Sequence, residues 1–189
     1  MRQPLEDGLV VISRASASLT FPAEFQLVGA TNFCRRGCRD LGTCACTPAE
    51  RAAYLGRLSG PLLDRIDLHL EVPPVPYRDL EAPAAGEGSP AIRKRVIAAR
   101  QRQRERWGRG RFRVNGRMLP RQVARYCGLT REGRQVLGHA VDRLGLSARA
   151  HDRVLKVART IADLAAREAI GPEHLAEALT YRGIERRLS

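Results

Sequence analysis

The sequence has few aromatic residues, almost no lysine and no long hydrophobic run. Aromatic side chains make up 5% of the 189 residues, and only Lys94 and Lys156 among the 33 basic residues are lysines. No stretch approaches the ~20 apolar residues of a membrane helix, and the N-terminus has no apolar core of a signal peptide. These absences predict a cytoplasmic protein of bacterial type without a membrane segment. The hydrophobic content of 43% still permits a real core.

The charge is strongly positive and unevenly distributed along the chain. The net charge is +13, yet residues 1–77 contain eight basic and eight acidic side chains. Residues 90–118 contain eleven basic side chains against the single acid Glu105. Such a block attracts polyanions through counterion release, and nucleic acid is the commonest of them. The candidate contacts are Arg93, Lys94, Arg95 and Arg100. The alternative is a solvated helix face in an arginine-rich protein.

Four of the five cysteines are clustered. They are Cys34, Cys38, Cys44 and Cys46, whereas Cys127 stands apart. Clustering of this kind in a cytosolic protein favours a metal over disulfides, and four thiolates can surround one Zn²⁺ tetrahedrally. The spacing C-x₃-C-x₅-C-x-C is not a common zinc knuckle, however, and three arginines crowd the loop. Bound zinc and four reduced thiols are therefore alternative interpretations.

Local patterns in the first part of the chain predict short strands and helices. Residues 9–12 and 18–21 are β-prone runs around a polar turn, which is typical of a hairpin. Residues 25–30 form a nearly continuous apolar run of the kind buried in a parallel sheet. Residues 66–72 alternate between apolar and polar, as a strand does. Thr47 is the predicted cap of a helix to about residue 58, and a second short helix is expected at 62–65.

The rest of the chain predicts helices beyond one linker. Residues 78–89, rich in proline, alanine and glycine, form the clearest linker in the sequence. Hydrophobic periodicity then predicts helices at about 90–107, 120–127, 130–145, 147–168 and 172–181. The predicted organisation is part of an α/β domain over residues 1–77 and an all-helical bundle over residues 90–189.

Five segments, in this order, resemble the ComM/YifB branch of the magnesium-chelatase-like AAA+ ATPases. They are LEDGLVVISRA, FPAEFQLVGATN, RLSGPLLDRIDLHLEVPPVPY, GLSARAHDRVLKVARTIADL and IGPEHLAEALTYR. The resemblance extends from Leu5 to Arg186. It implies the C-terminal part of a P-loop NTPase sheet followed by a helical lid, in a hexameric ATPase that uses ATP and Mg²⁺. Better-known members drive branch migration of DNA during natural transformation, whereas magnesium-chelatase subunits work with a protein complex.

The resemblance assigns two catalytic roles in the α/β part. Asn32 matches sensor 1, whose amide can orient the attacking water near the γ-phosphate; the alternative is an asparagine that forms a turn after a strand. Arg65 matches the arginine finger, which acts on the neighbouring subunit's nucleotide and is worth ~10³–10⁵ in rate. The alternative for Arg65 is a surface ion pair with Asp64 or Asp67.

Two further arginines match functional positions of the family. Arg149 corresponds to sensor 2, which contacts the nucleotide from the lid. Otherwise it is an exposed arginine at a helix N-terminus, where a cation is electrostatically unfavourable. Arg14 lies in the tip of the first hairpin. In related AAA+ proteins, including replicative MCM helicases, a hairpin before sensor 1 faces the central pore and tracks DNA.

The sequence departs from the family in lacking the motifs that hold ATP and Mg²⁺. The pattern G-x-x-x-x-G-K-[ST] is absent, so no glycine-rich nest with its lysine cradles a triphosphate. The Asp-Glu pair that holds Mg²⁺ is absent too. The resemblance therefore predicts a fragment, a truncated gene product or a shortened form that does not hydrolyse ATP alone. It also predicts that residues 25–30 and 66–72 lack their shared neighbouring strand and expose unpaired edges.

Two classes of function remain open from the sequence. The first is the C-terminal part of an AAA+ ATPase, with DNA, further copies in a hexamer or the missing N-terminal half as partners. A chelatase-like remodeller of proteins is a variant of it. The second is a standalone basic nucleic-acid-binding module with a zinc loop. A P-loop encoded upstream would favour the first.

Overall fold

The computed structural model describes residues 2–15, 17–38, 42, 44–58, 60–81, 86–108 and 114–182. These residues form two compact units that divide between Pro74 and Val75. Among the described residues, no helix combines the length and the apolar character needed to cross a bilayer.

A β-hairpin opens the first unit. Helix α1 (Arg2–Asp7) leads into strands β1 (Leu9–Arg14) and β2 (Ala17–Pro22), which pair antiparallel with Val11 opposite Thr20. The Ser13 and Ser18 hydroxyls lie 3.0 Å apart near the turn. The predicted hairpin is therefore confirmed, whereas α1 was not predicted.

The strands predicted at residues 25–30 and 66–72 are wrong. Both segments lack secondary structure, and in the described part of the chain the only sheet is the two-stranded hairpin. Their apolar side chains are exposed as expected, with Val28 at 83% and Val72 at 79%. The physical reason is that a strand satisfies its backbone groups only against a neighbour. The partial AAA+ sheet is thus not formed by these residues.

Two helices follow the cysteine loop. In α2 (Pro48–Leu55), the Glu50 N–H donates to the Thr47 hydroxyl at 3.2 Å, and the Thr47 N–H donates to the Glu50 carboxylate at 2.8 Å. This capping box is the one predicted from the sequence. The helix ends three residues before the predicted residue 58, and α3 (Gly60–Leu63) begins two residues before the predicted helix.

The second unit is a bundle of helices. It begins with α4 (Tyr77–Glu81), which was not predicted. The remaining elements are α5 (Ser89–Trp107), a 3-10 turn (Asn115–Arg117), α6 (Pro120–Tyr126), α7 (Arg131–Leu144), α8 (Ala148–Leu164) and α9 (Pro172–Thr180). Helices α5 to α9 confirm the predicted all-helical part, because each begins within one residue of its expected start.

Helix α8 forms the centre of this bundle. Val154, Ala158 and Ala162 recur on one face and are buried in the same cluster as Leu175 of α9. Small residues at two of these positions allow the neighbouring helices to approach closely. The core of the second unit therefore lies along one apolar stripe of α8, as the helical periodicity of the sequence requires.

The end of α8 differs from the prediction. The sequence pattern predicts a helix to residue 168, but α8 stops at Leu164 and Ala166 adopts a positive φ of 59°. The Arg159 guanidinium donates hydrogen bonds to the backbone carbonyls of Arg167 and Glu168. A side chain from within the helix thus satisfies carbonyls beyond its end, and the chain can turn there without a further helical turn.

Candidate functional site

Asn32 lies next to the turn that begins the cysteine loop. It is exposed, and the Thr31 hydroxyl donates to its backbone carbonyl at 3.2 Å. Gly37 follows with a φ of +67°, and a Cβ there would lie 3.6 Å from the Asn32 side-chain nitrogen. The amide of Asn32 therefore packs close to the cysteine loop.

Arg65 follows α3 in the same unit and is largely buried. Its guanidinium donates to the Glu6 carboxylate at 2.8 Å and to the Pro61 carbonyl at 2.5 Å. Only 12% of its side chain is exposed. The ion pair with Glu6 joins Arg65 to the distant α1, and the suggested pairs with Asp64 or Asp67 stay predictions.

The other two family-matched arginines are exposed. Arg14 ends β1 and pairs in register with Ala17 across the hairpin, next to its tip. Arg149 lies in the first turn of α8, two residues after the capping Ser147. Asn32 and Arg65 belong to the first unit and Arg149 to the second, so the residues matched to nucleotide contacts are divided between the two units.

The structure brings the four clustered cysteines together. The sulfur atoms of Cys34, Cys38, Cys44 and Cys46 all lie within 4.8 Å of one another. This set is called the thiol cluster below. Cys34 and Cys46 are buried, with 1% and 6% exposed, and all four thiols are free. Thiols from two ends of a thirteen-residue stretch thus converge on one point.

The electrostatics of the thiol cluster are asymmetric. The pKa of the Cys34 thiol is lowered to about 6, first because the Cys38 backbone N–H donates to its sulfur. That N–H lies 3.4 Å from the Cys34 sulfur. The pKa of Cys38 is raised, first by its side-chain hydrogen bond to Cys34. Burial raises the pKa of Cys46 to about 12. By these pKa shifts, Cys34 ionises more readily than Cys38 or Cys46.

A basic cavity lies beside the thiol cluster. It has a volume of about 490 Å³, and its wall includes Cys46 together with Arg35, Arg36 and Arg57. A fourth arginine, Arg51, donates to the Cys46 carbonyl at 2.9 Å. These arginines place positive charge beside Cys46, and Glu50 adds one carboxylate to the same wall.

The second unit carries a basic helix. The side chains of the candidate contacts on α5, which are Arg93, Lys94, Arg95 and Arg100, are all exposed. Arg95 forms an ion pair with Glu87 at 2.7 Å, with both partners solvent-accessible. Ala99, Gln103 and Trp107 are the buried positions of α5. The buried positions of α5 thus lie in its C-terminal half, while three of the four candidate cations lie in its N-terminal half. Three further arginines of the basic block, at positions 109, 111 and 113, lie outside the described residues.

A buried polar network fastens α5 to α8, and the sequence analysis missed it. The carboxylate of Asp163, fully buried, accepts two hydrogen bonds from Arg106 at 2.6 and 2.9 Å. It also accepts one from the Asn115 amide at 2.8 Å and forms an ion pair with Arg159 at 3.2 Å. The available signal was the spacing of Arg159 and Asp163, which places two charges four residues apart on the apolar face of α8.

Comparison with known families decides the classification. The profile described as "Magnesium chelatase, subunit ChlI C-terminal" matches residues 86–182, slightly more than half of the chain. A second profile, "Magnesium chelatase, subunit ChlI", matches residues 1–80. The chain belongs to the magnesium chelatase ChlI family. The two matched regions of this family together include every candidate residue described above.

Individual relatives are similar over the whole chain. The chain is 43% identical to the uncharacterised protein YifB of Salmonella typhimurium over all of its residues, covering 37% of that protein. It is 43% identical to the competence protein ComM of Haemophilus influenzae, covering 36% of it. Identity to the YifB of Escherichia coli is 42%, with 37% of that protein covered. The chain therefore spans little more than a third of the length of these curated relatives.

Proposed function

We propose that the chain is the portion of a hexameric AAA+ ATPase that supplies sensor 1, the arginine finger and sensor 2, and that the complete ATPase remodels DNA. The observation that carries this proposal is the 43% identity to a competence protein over the whole chain. Asn32, Arg65 and Arg149 take the three roles. DNA branch migration in natural transformation is the activity that this relationship favours.

The residues of this chain do not themselves form a cradle for ATP and Mg²⁺. The sequence contains neither a glycine-rich phosphate loop nor an Asp-Glu pair, and these are the groups that bind the triphosphate and the metal. The proposal therefore assigns nucleotide binding to segments that the longer relatives contain beyond this region. The present residues contribute contacts around a nucleotide held elsewhere.

The contacts of Arg65 are those of an arginine finger that is held in position before it contacts a nucleotide. Its guanidinium is oriented by a carboxylate on one side and a carbonyl on the other. A γ-phosphate presents the same kind of anionic oxygens as Glu6 and can replace that carboxylate. A finger acts on charge in the transition state, so its loss lowers turnover and not nucleotide affinity.

The test is made in a protein of full family length that contains this chain. Arg65→Ala is expected to reduce ATP hydrolysis by ~10³-fold or more and to leave nucleotide binding unchanged. Arg134→Ala removes an exposed arginine that has no assigned site role and serves as the control. Glu6→Gln weakens the ion pair while keeping the finger, so hydrolysis should persist. Loss of nucleotide binding in Arg65→Ala, or loss of hydrolysis in Glu6→Gln, would identify Arg65 as a structural residue.

We propose α5 as the DNA-contacting surface. Four cations are exposed along two turns of the helix. The ion pair between Arg106 of α5 and Asp163 of α8 attaches the helix to the bundle. Exposed cations on a helix bind the phosphate backbone without sequence preference. Neutralising ~4 phosphates predicts a slope of about −4 for the logarithm of the binding constant against the logarithm of salt concentration on duplex DNA.

Matched variants can separate this surface from net charge. The test variant replaces Arg93, Lys94, Arg95 and Arg100 with glutamine. The control variant replaces four exposed arginines of α6 and α7 with glutamine, at Arg121, Arg131, Arg134 and Arg143. Both lose the same charge, but only the test variant should lose the salt-dependent binding. Equal losses would show that α5 acts only through the overall charge.

A standalone nucleic-acid-binding module is the second candidate, and the exposed basic helix favours it. Such a module binds DNA as this chain alone, with no dependence on ATP. In the ATPase proposal, DNA affinity in the full-length protein changes with the bound nucleotide. Titrations with and without a non-hydrolysable ATP analogue distinguish the two.

A further inference from the structure

We propose that Cys34, Cys38, Cys44 and Cys46 bind a single zinc ion in a closed, structural site. This inference goes beyond the proposed function, because neither ATP nor DNA contact requires a metal at the thiol cluster. It also stands if the DNA proposal fails, since it depends on other residues.

The first argument is the distance between the sulfurs. All four lie within 4.8 Å of one another. A tetrahedral zinc ion with Zn–S bonds of ~2.3 Å places its sulfurs about 3.8 Å apart, so small side-chain rotations bring these four into coordination. A disulfide needs ~2.05 Å, and the four thiols are free. The distances between the sulfurs are therefore close to those of four ligands around one metal ion.

The second argument is the backbone around Cys34. The Gly37 N–H donates to the Cys34 carbonyl at 3.1 Å, and the Cys38 N–H donates to the Cys34 sulfur at 3.4 Å. Gly37 has a φ of +67°, which glycine tolerates far better than other residues. An N–H directed at sulfur stabilises a thiolate, the form that binds metal. The turn therefore holds the Cys34 sulfur in place, with a backbone N–H directed at it.

The third argument is charge. One Zn²⁺ and four thiolates leave a net charge of about −2. Arg35, Arg36 and Arg57 line the cavity whose wall includes Cys46, and Arg51 donates to the backbone of that cysteine. The arginines in and beside the loop thus offset the charge of the proposed centre, which explains why a cysteine loop carries so many cations.

All four positions of a tetrahedral ion are taken by protein sulfurs, so the proposed site has no open position for substrate. Its role is to hold chain segments together. Cys34 follows Asn32 by two residues, and Cys46 precedes the capping Thr47 of α2 by one. The ion would link the proposed sensor 1 directly to the start of α2.

The test uses the full chain purified without chelators. Metal analysis should find close to one zinc per chain. After removal of the metal, cobalt titration should give the absorption of tetrahedral thiolate coordination and saturate at one equivalent. The double variant Cys44→Ser/Cys46→Ser should lose both signals. Cys127→Ser is the matched control and should keep both, because Cys127 lies in the other unit with its sulfur 3.7 Å from that of Met118.

Zinc-free protein with four titratable thiols in the loop would overturn the proposal, as would disulfides, iron as the bound metal or a cobalt spectrum that survives the double variant. If the double variant fails to fold, cobalt titration of the unmodified chain still decides between a saturable thiolate site and none.

Discussion

The two units of the chain differ in what holds them together. In the first unit, the buried hydrophobic residues of the described part are Cys34, Cys46 and Leu63. In the second unit, a continuous cluster of twelve buried residues runs from Trp107 to Ala178. The helices of the second unit satisfy their backbone groups within each segment, while strands require a neighbour. We therefore expect the helical unit to fold by itself and the first unit to need elements outside itself.

Separating the units should give the largest effect. Residues 86–189 contain the whole helical cluster, so they should show helical circular dichroism and a cooperative thermal transition. The described residues of 1–77 bury only Cys34, Cys46 and Leu63 among their hydrophobic side chains, so this piece should show no cooperative transition. Melts of the two pieces, compared with the melt of the intact chain, check this. A cooperative transition in residues 1–77 would break the comparison.

The buried network offers the next largest effect. Asp163→Ala leaves Arg106 and Arg159 without their shared carboxylate, and removal of one partner from a buried ion pair costs about 3–5 kcal/mol of unfolding free energy. Asp142 is an exposed carboxylate on α7. The control variant Asp142→Ala should therefore change the unfolding free energy by less than ~0.5 kcal/mol. Denaturant unfolding of the intact chain measures both. Similar losses in the two variants would refute a special role for Asp163.

Truncating one leucine in each unit tests the comparison between the units further. Leu175 is buried in the helical cluster and Leu70 is exposed in the first unit. Leu175→Ala should lower the unfolding free energy by about 2–5 kcal/mol through lost contacts and a cavity. Leu70→Ala should change it by less than ~0.5 kcal/mol. The comparison would be undermined if Leu70→Ala proved as damaging as Leu175→Ala.

Helix caps give the smallest expected difference. The Ser147 hydroxyl accepts from the Ala150 N–H at 3.2 Å in the second unit, and Thr47 makes the equivalent bond in the first. Ser147→Ala should cost about 1 kcal/mol. Thr47→Ala should leave the main transition unchanged, because α2 buries none of its residues. Equal shifts of the transition midpoint would show that both units melt together.

Sequence patterns predicted the helical unit well because a helix is encoded locally. The predicted starts at residues 130, 147 and 172 lie within one residue of the observed starts of α7, α8 and α9. The end of α8 was misplaced because Arg159 caps carbonyls beyond it. No periodicity rule describes such a tertiary contact.

The same patterns failed for residues 25–30 and 66–72, because a strand depends on partners that are distant in sequence. Their apolar character was correctly recognised, but it describes what a segment can bury and not whether a neighbour is present. The clustered cysteines were recognised as well, since their proximity in the chain limits how far apart the sulfurs can lie. The roles of Asn32, Arg65 and Arg149 rest on family resemblance and stay predictions.

Hydrogen–deuterium exchange of the intact chain tests most directly whether the two units differ in this way. The backbone amides in the middle of α8 should exchange only through global unfolding, because they are hydrogen-bonded within a buried helix. Amides at residues 25–30 should exchange at the rate of an unprotected peptide. Comparable protection in both regions would contradict the account, because it would show that the first unit has a stable core of its own.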